Sequence, residues 1–347
     1  MASQSFSELI LQWYDHSGRH DLPWQKNQTA YRVWVSEIML QQTQVNTVIP
    51  YYLKFMQRFP NLKSLSKAPL DDVLHHWSGL GYYARARNLH RSAQIILEEH
   101  KGRFPQSITE IEKLPGIGHS TAGAILSLAM NQQATILDGN VKRVLTRFYA
   151  FNENLTKKSA LDKLWYLADN LTPKNRCRDY NQALMDLGAL ICTRSAPKCT
   201  SCPLEHFCQA HQAGQETQYP IKKTSSKRPQ KEIFVLILQD QKGNILLEKR
   251  PHVGIWGGLW SFPECNEQQQ IKNICKQRFF CEVTKHTDLP VINHIFTHFE
   301  LMIKPVKLSV RTSKNHVMDS DSLIWYNNKE KLPGGIPSPI AKILQLI

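Results

Sequence analysis

Four of the eight cysteines lie in one short segment, and their spacing constrains the fold more than any other feature of the sequence. The segment has the pattern Cys192-x6-Cys199-x2-Cys202-x5-Cys208. In a reducing compartment, thiols clustered in this way are more often metal ligands than disulfide partners. A zinc site and a [4Fe–4S] cluster can both take four thiolates. The spacing therefore predicts a metal-binding loop at 192–208 and leaves zinc and iron–sulfur open as alternatives.

Composition and hydropathy exclude several classes of protein. With 347 residues, of which 41% are hydrophobic, the chain has enough apolar material for real cores and is not a disordered chain. No apolar run approaches the roughly 20 residues that a membrane span needs. The first residues lack a secretory-signal pattern, which predicts a cytoplasmic protein. The formal net charge of +14 favours a polyanion as partner.

A basic segment divides the chain into two parts with different patterns. Lys222–Lys231 carries five cations, no acid and no large apolar residue, as an exposed linker does. Before it, apolar residues recur at three- and four-residue spacing, which predicts a series of helices. After it, Ile233–Leu238 and Ile245–Leu247 are strand-like runs around a turn, and Ile271–Phe279 is helix-like. The sequence therefore predicts an all-helical front domain and an α/β rear domain.

A glycine-containing turn joins two predicted helices of the front domain, Ser107–Lys113 and Thr121–Met130. Its sequence is Leu114-Pro-Gly-Ile-Gly-His-Ser, in which Gly116 and Gly118 allow a tight hairpin. Backbone amides at the start of the following helix can hold an anion such as a DNA phosphate without reading sequence. The alternative is an ordinary corner between two helices.

Two carboxylates lie in settings that suit acid–base chemistry. Glu37 is bracketed by apolar residues in the predicted helix Val33–Gln42, where burial favours the protonated form of a carboxyl group. Asp138 directly precedes a helix that carries Lys142 and Arg143. The alternatives are a partly exposed or paired helix glutamate and an ordinary helix cap.

Together these segments resemble a known enzyme family. The Pro-Gly-Ile-Gly hairpin, the Asp138–Val144 segment and the cysteine loop are similar to those of the endonuclease III superfamily of DNA glycosylases. Leu22-Pro-Trp24, Ser36–Thr43 and Gly79–Tyr83 resemble the MutY-type adenine DNA glycosylases in particular. The resemblance implies an all-α helix-hairpin-helix glycosylase domain with an iron–sulfur cluster loop, joined to an α/β Nudix-like domain. The implied boundaries are 1–214 for the first domain, 215–231 for the linker and 232–347 for the second.

The resemblance also implies a reaction and a cofactor. Such enzymes flip adenine that is mispaired with 8-oxoguanine or guanine out of double-stranded DNA and hydrolyse its N-glycosidic bond. Glu37 takes the place of the acid, Asp138 that of the carboxylate which stabilises the sugar cation, and Asn140 that of a residue orienting the sugar or water. The four cysteines take the place of the ligands of a [4Fe–4S] cluster. The protein would act as a monomer, associated with the nucleoid.

The remaining implied site residues contact the base, the lesion or the DNA backbone. Trp24 and Gln182 would line the adenine pocket. The residues implied to contact the duplex or the damaged guanine are Gln41, Gln42, Tyr82, Phe296, Thr297 and His298, and those on the hairpin are Gly116, Gly118 and Ser120. Where the family has Ser in its Phe-Ser-His loop, this chain has Thr297, whose extra methyl group stiffens the side chain.

At two places the sequence departs from related enzymes, and each departure excludes one reaction from the prediction. Relatives that cleave the strand carry a lysine nucleophile where this chain has Ser120, and a hydroxyl cannot form the imine that β-elimination needs. We therefore predict a monofunctional glycosylase. The rear domain has Gln268–Gln277 where Nudix hydrolases have an acidic metal-binding helix, so nucleotide hydrolysis is not expected.

Two other functions agree less well with the sequence. An endonuclease III-like lyase acting on oxidised pyrimidines is disfavoured by Ser120 and by the additional domain. A non-catalytic iron–sulfur protein that binds DNA or senses redox state is disfavoured by the pair Glu37 and Asp138.

Overall fold

The computed structural model describes residues 5–221, 228–312 and 322–347. The centre of the predicted linker, residues 222–227, lies outside the described residues, and the boundaries of that linker remain a prediction. No helix in the described ranges combines the length and the apolar character that a membrane crossing requires.

The residues before the linker form helices, as the apolar periodicity predicts. In chain order these are α1 Phe6–Ser17, α2 Ala30–Leu40, α3 Val45–Arg58, α4 Leu62–Ser66, α5 Leu70–Trp77, α6 Ala84–Glu99, α7 Ile108–Ile111, α8 His119–Ala124, α9 Gly139–Phe148, α10 Lys158–Leu171, α11 Cys177–Leu190 and α12 Gln209–Gln212. One core of this region packs α1, α9, α10 and α11 around buried residues such as Ile10, Val144, Leu164 and Leu187. Apolar residues on one face of each helix therefore account for the packing.

The helix starts follow the local sequence in detail. Ser5 and Glu8 form the reciprocal capping box at α1, with Glu8 N–H donating to Ser5 Oγ and Ser5 N–H donating to Glu8 Oε2. At α7 only half of the equivalent arrangement forms, because Glu110 N–H donates to Ser107 Oγ without a return bond. The helix predicted over Ser107–Lys113 is correspondingly short. The one predicted over Thr121–Met130 begins earlier, and its last part, Ile125–Ala129, widens into a π-helical turn.

In the part after the linker, the described residues form one mixed sheet and two α-helices. The strands are β1 Gln230–Gln239, β2 Ile245–Lys249, β3 Trp260–Ser261, β4 Glu264–Cys265, β5 Cys281–Asp288, β6 Ile292–Ile295, β7 Glu300–Thr312 and β8 Leu323–Tyr326, and the helices are α13 Ile271–Phe279 and α14 Ser338–Leu344. The central order is β3-β2-β1-β7-β5, with β1 and β7 parallel from Gln230 opposite Glu300 to Gln239 opposite Ser309. The predicted strands and the helix Ile271–Phe279 are confirmed, and α13 covers one face of the sheet with Ile271, Cys275 and Phe279.

The chain divides into two compact units, and the linker is not the only boundary between them. The first unit contains residues 1–67 and 88–225, and the second contains residues 68–87 and 226–347. In the second unit, Lys249 Nζ lies 2.7 Å from Asp71 Oδ2, and Ser78 Oγ donates to the carbonyl of Ile336 at 3.0 Å. Helix α5 and the turn after it thus belong with the sheet. The sequence pattern did not reveal this, because a helical segment has the same apolar periodicity whichever partner it packs on.

Candidate active site

A cavity of about 500 Å³ opens within the first unit and brings together five of the predicted site residues. Its walls come from the turn before α2, from α2 itself, from the start of α9 and from α11. The predicted residues that line it are Trp24, Glu37, Asp138, Asn140 and Gln182. Its volume is in the range of pockets that bind small molecules or a single base. Residues from four separate parts of the chain therefore converge on one cavity.

Glu37 projects from α2 onto the wall of this cavity. The neighbouring Ser36 and Ile38 are buried. No hydrogen bond among the described residues involves the Glu37 carboxyl group. Burial, with a smaller contribution from the negative charge of Asp138, raises the pKa of Glu37 to about 8. Glu37 is therefore largely protonated at neutral pH and can donate a proton to a group in the cavity.

Asp138 is the N-cap of α9 and faces the same cavity. Its Oδ1 accepts the backbone N–H groups of Asn140 at 2.9 Å and Val141 at 2.8 Å, and its Oδ2 accepts Asn140 Nδ2 at 3.0 Å. Burial raises the pKa of Asp138, whereas these hydrogen bonds and the charge of Arg143 oppose the rise. Glu37 has no such donors within the described part of the chain. Since a helix N-terminus also favours negative charge, the shared proton of this pair belongs on Glu37.

Asn140 accepts a hydrogen bond from Arg143, a residue for which the sequence predicted no role in the site. The Arg143 guanidinium donates from Nη2 to Asn140 Oδ1 at 2.8 Å and to the carbonyl of Gly188 at 2.6 Å, and from Nε to the carbonyl of Cys192 at 2.7 Å. The three-residue spacing from Asn140 to Arg143 on a helix was the one signal that could have indicated the contact. A Cβ atom on Gly188 would lie 2.6 Å from Asn140 Cβ, so the approach of α11 to this site requires glycine.

The four predicted metal ligands line a second, smaller cavity of the first unit. Cys192, Cys199, Cys202 and Cys208 all border it. Burial, reinforced by neighbouring negative groups, raises the pKa of Cys199 to about 11 and that of Cys202 to about 12. Four thiolates so close together repel one another unless a cation lies between them, which is what bound metal supplies. The donor set therefore fits a four-thiolate metal centre.

Arg147 connects α9 to the cysteine loop through hydrogen bonds that the sequence did not predict. Its side chain is almost completely buried. Nη1 donates to Cys192 Sγ at 3.3 Å and to the carbonyl of Thr193 at 2.7 Å, and Nη2 donates to the carbonyl of Arg194 at 3.0 Å. A buried guanidinium needs such acceptors, and a thiolate at Cys192 would be stabilised by the positive charge.

A donor set of another type adjoins this loop. Ligand atoms of Cys199, His211 and Glu216 lie within 4.8 Å of one another, and His211 Nδ1 is 2.5 Å from Glu216 Oε1. Sulfur, nitrogen and oxygen ligands in combination are characteristic of zinc. The geometry of the loop alone therefore does not distinguish iron–sulfur from zinc.

Of the two glycines in the hairpin, only one has a positive φ angle. Gly116 has φ +79°, and a Cβ atom there would lie 2.8 Å from Asn88 Cβ. Gly118, the N-cap of α8, has φ −100° with open space around it, so of the two glycines only Gly116 has a backbone conformation that favours glycine. No side chain caps α8 at its N-cap. Ser120 Oγ accepts the backbone N–H of Leu137 at 3.1 Å.

Four of the predicted contacts to the duplex or the lesion lie in the second unit, namely Tyr82, Phe296, Thr297 and His298, and two of them meet. Tyr82, which is about half exposed with φ +48°, has its hydroxyl 3.4 Å from Thr297 Oγ1. Thr297 and His298 are exposed, and the Phe296 ring packs against Trp256 at 5.5 Å. Residues that are 215 positions apart in the sequence thus form one exposed group.

Gln41 and Gln42 lie beside the active-site cavity without lining it. They follow α2 directly, and Gln42 is exposed with φ +57°. Leu40 and Thr43, on either side, both line the cavity. The structure therefore places the two glutamines next to the cavity mouth.

Two protein families match the chain. Residues 35–169 match the HhH-GPD superfamily of base excision DNA repair proteins, and residues 234–346 match the NUDIX domain. The adenine DNA glycosylase of Buchnera aphidicola subsp. Acyrthosiphon pisum (strain APS) is 43% identical over 347 residues, covering 99% of this chain and 98% of that protein. The adenine DNA glycosylase of Homo sapiens is 33% identical, covering 99% of this chain and 74% of that protein.

Solved structures are similar to the helical part. A thermostable thymine-DNA glycosylase aligns with a TM-score of 0.55 at 31% identity, covering 60% of this chain and 95% of that structure. Endonuclease III in a non-covalent complex with DNA aligns with a TM-score of 0.52 at 21% identity, covering 60% and 94%, which supports the fold alone. The predicted helical glycosylase fold is therefore confirmed.

Proposed function

Since the chain belongs to the adenine DNA glycosylases of the HhH-GPD superfamily, we propose that its substrate is adenine mispaired with 8-oxoguanine or guanine in double-stranded DNA. The chain is a DNA N-glycosylase of base excision repair. The observation that carries the proposed reaction is the pair of carboxyl groups on one cavity, Glu37 with a raised pKa and Asp138 held by three hydrogen bonds. Two carboxyl groups of opposite protonation state are what acid-assisted glycoside cleavage needs.

The proposed reaction begins when adenine leaves the duplex and enters the cavity. Glu37 donates its proton to a ring nitrogen of adenine, and the bond between the sugar C1′ and the base nitrogen breaks with its electron pair moving to the base. The sugar is left as an oxocarbenium-like cation, which the negative charge of Asp138 stabilises. Water then adds to C1′, and its proton passes to the Glu37 carboxylate, which restores the starting state.

Asn140 is proposed to orient the sugar or the attacking water. Its Nδ2 is occupied by Asp138 and its Oδ1 by Arg143, so its amide is fixed on both sides. A fixed amide beside the reacting carbon contributes positioning without needing to reorganise during the reaction. Trp24, which is buried and lines the same cavity, is proposed to bound the space for the base.

The absence of a lysine at position 120 supports base removal without strand cleavage. The Ser120 hydroxyl is engaged by the backbone N–H of Leu137, close to Asp138, and it cannot form an imine with the sugar aldehyde. The abasic product is therefore proposed to leave the enzyme with its strand intact.

The DNA backbone is proposed to bind at the hairpin and at the cysteine loop. The uncapped amides at the start of α8 suit a phosphate, as in other non-specific backbone contacts. Arg194 and Lys198 are exposed on the cysteine loop, where they are available to further phosphates. These contacts are separate from the two carboxyl groups.

The group formed by Tyr82 and Thr297 is proposed to contact the base opposite the target adenine. Both side chains carry hydroxyl groups, and Tyr82 adds a half-exposed ring that can stack on a base. In the NUDIX-like part, Gln268–Gln270 and α13 take the place of the acidic metal-binding helix of Nudix hydrolases. That part is therefore proposed to recognise DNA rather than to hydrolyse a nucleotide.

The cofactor is proposed to be a [4Fe–4S] cluster on Cys192, Cys199, Cys202 and Cys208. The four thiols on one cavity and the buried guanidinium of Arg147 support a centre that carries net negative charge. When bound, the cluster would supply a rigid covalent crosslink for the loop. Iron, sulfide and broad visible absorption in the purified protein are expected. Zinc in their place would contradict the assignment and favour the neighbouring set of Cys199, His211 and Glu216.

The proposed substrate and product are tested with one set of duplexes. These carry adenine opposite 8-oxoguanine, adenine opposite guanine, or thymine glycol, and each is analysed with and without alkali. Adenine release from both mispairs is expected, with strand breakage only after alkali. In the Thr297→Val variant, the rate on adenine opposite 8-oxoguanine is expected to fall relative to that opposite guanine.

Two results would contradict the proposal in different ways. Direct nicking of the thymine glycol duplex would favour an endonuclease III-like lyase. Binding of the duplexes without release of any base would favour a non-catalytic DNA-binding protein.

A further inference from the structure

A buried carboxylate lies directly behind the active-site cavity, on α11. The Asp186 side chain is completely buried. Arg19 donates to it from the backbone N–H at 2.8 Å, from Nε at 3.0 Å and from Nη2 at 2.5 Å. The donor of each of these three bonds is a nitrogen of Arg19, and an arginine side chain has no acceptor. Asp186 therefore acts as an acceptor at every one of its contacts.

The fourth donor to this carboxylate is Gln182, one helical turn earlier on α11. Gln182 Nε2 lies 2.9 Å from Asp186 Oδ1, in a buried contact. The two ends of a glutamine amide differ chemically, since one donates and the other accepts. A carboxylate oxygen that acts as an acceptor can pair only with the NH₂ end. The amide of Gln182 is thus held in one of its two possible orientations, with the choice made by chemistry and not only by fit.

The orientation of the Gln182 amide determines which of its polar atoms is available inside the cavity. Gln182 lines the cavity together with Trp24 and Glu37, and no donor among the described residues reaches its Oε1. With the NH₂ end occupied by Asp186, the polar atom that Gln182 can offer to a base is an acceptor. Adenine carries an amino group at carbon 6, which donates, whereas hypoxanthine and guanine carry an oxygen there, which accepts.

We propose that Asp186 is a positioning residue for base selection: it holds Gln182 so that its Oε1 accepts from a 6-amino purine and repels a 6-oxo purine. This inference rests on the proposed function, because it presumes that the base enters this cavity. Asp186 does not touch the substrate and takes no part in bond cleavage. Specificity arises because a 6-oxo base would leave two acceptors facing each other without a donor.

The test compares single-turnover rates on adenine, hypoxanthine and unsubstituted purine, each opposite 8-oxoguanine. For the wild type, adenine is expected to be released faster than hypoxanthine by more than the intrinsic reactivity of the bases accounts for. In Asp186→Asn the amide of Gln182 can rotate, since residue 186 then offers both a donor and an acceptor. The adenine-to-hypoxanthine ratio is expected to fall by about tenfold.

A second variant keeps the test decisive even if Asp186→Asn does not fold. Gln182→Leu leaves the pair of Arg19 and Asp186 intact and removes both polar ends of the amide, so the same ratio is expected to fall. In the double variant, Asp186→Asn is expected to add no further change to the ratio, because the two residues act through one amide. Melting temperatures and visible absorption show which variants retain the fold.

The outcomes separate the two proposals. A folded Asp186→Asn protein that loses rate equally on all three bases, with its ratio unchanged, overturns the positioning role and indicates structural support alone. An unchanged ratio in Gln182→Leu overturns it as well. A wild-type protein that releases no base from any duplex overturns the proposed function, and with it this assignment.

Discussion

Replacing Glu37 with Gln is expected to lower the single-turnover rate of adenine release by about 10²–10⁴-fold, the usual contribution of a general acid. Glutamine has nearly the same shape as the protonated glutamic acid that the raised pKa predicts, so the cavity keeps its lining. It cannot transfer a proton to the leaving base. Binding to a mispair duplex is expected to persist, since the proposed phosphate contacts lie at the hairpin and the cysteine loop. The measurement is rate and affinity on the same duplex.

The pH profile gives this prediction a second readout. In the wild type, release is expected to decline above pH 8 as Glu37 loses its proton. On the acid side it declines as Asp138 becomes protonated, and the raised pKa of Asp138 moves this decline above the usual range for aspartate. The residual rate of Glu37→Gln is expected to lack the alkaline decline, because no acid remains to titrate at that position.

Glu37→Gln is expected to lower the activity of the protein and to raise its stability at alkaline pH. The folded protein holds the Glu37 proton up to about pH 8, whereas an unfolded glutamate releases it near its ordinary pKa. Between these values the folded state binds more protons, so the free energy of unfolding falls as pH rises through this window. Glu37→Gln has no such loss and is expected to melt at a higher temperature than the wild type at pH 8, with a smaller difference at pH 5.

The matched control is Glu98→Gln, which makes the same change at an exposed position on α6. It is expected to leave the rate, the pH profile and the melting temperature unaltered. Full activity of Glu37→Gln, or an unfolded protein, would contradict the assignment of Glu37 as a buried acid.

The sequence predicted those parts of the site that depend on local chemistry. Asp138 precedes a helix, and an aspartate at that position can cap the helix with its own side chain, which is a local contact. Glu37 lies among buried, mostly apolar residues on its own helix, so the desolvation of its carboxyl group follows from its neighbours. The four cysteines are close in sequence, and a short loop must keep them close in space.

Contacts between residues far apart in the chain were not predicted. Asp186 is 167 positions from Arg19, and Arg143 reaches Gly188 and Cys192 from another helix. No periodicity or motif indicates which arginine will find which carbonyl group, because that depends on how the helices pack. The pattern of apolar residues therefore predicted the helices and not the polar network that fixes Asn140 and Gln182.

Replacing Asp138 with Asn is expected to lower the rate of adenine release by about 10²–10³-fold, the usual loss when a charge-stabilising group at a reacting centre is removed. Asparagine keeps one side-chain oxygen, which can still accept the backbone N–H groups of Asn140 and Val141. The helix cap is therefore retained while the negative charge is lost. The oxocarbenium-like sugar then forms without an anion beside it. Single-turnover kinetics on adenine opposite 8-oxoguanine measure the effect.

The effect of Asp138→Asn on the pKa of Glu37 shows whether the two carboxyl groups interact or act independently. The charge of Asp138 contributes to the raised pKa of Glu37, so its removal is expected to shift the alkaline decline of the residual rate to lower pH. Asp138→Ala is expected to lose similar activity and, in addition, about 1 kcal/mol of stability with the cap of α9. Asp169→Asn, at an exposed position on α10, is expected to change neither property. An alkaline decline that stays in place in Asp138→Asn would mean that the charge of Asp138 does not act on Glu37, and an unchanged rate as well would leave Asp138 only its role as the helix cap.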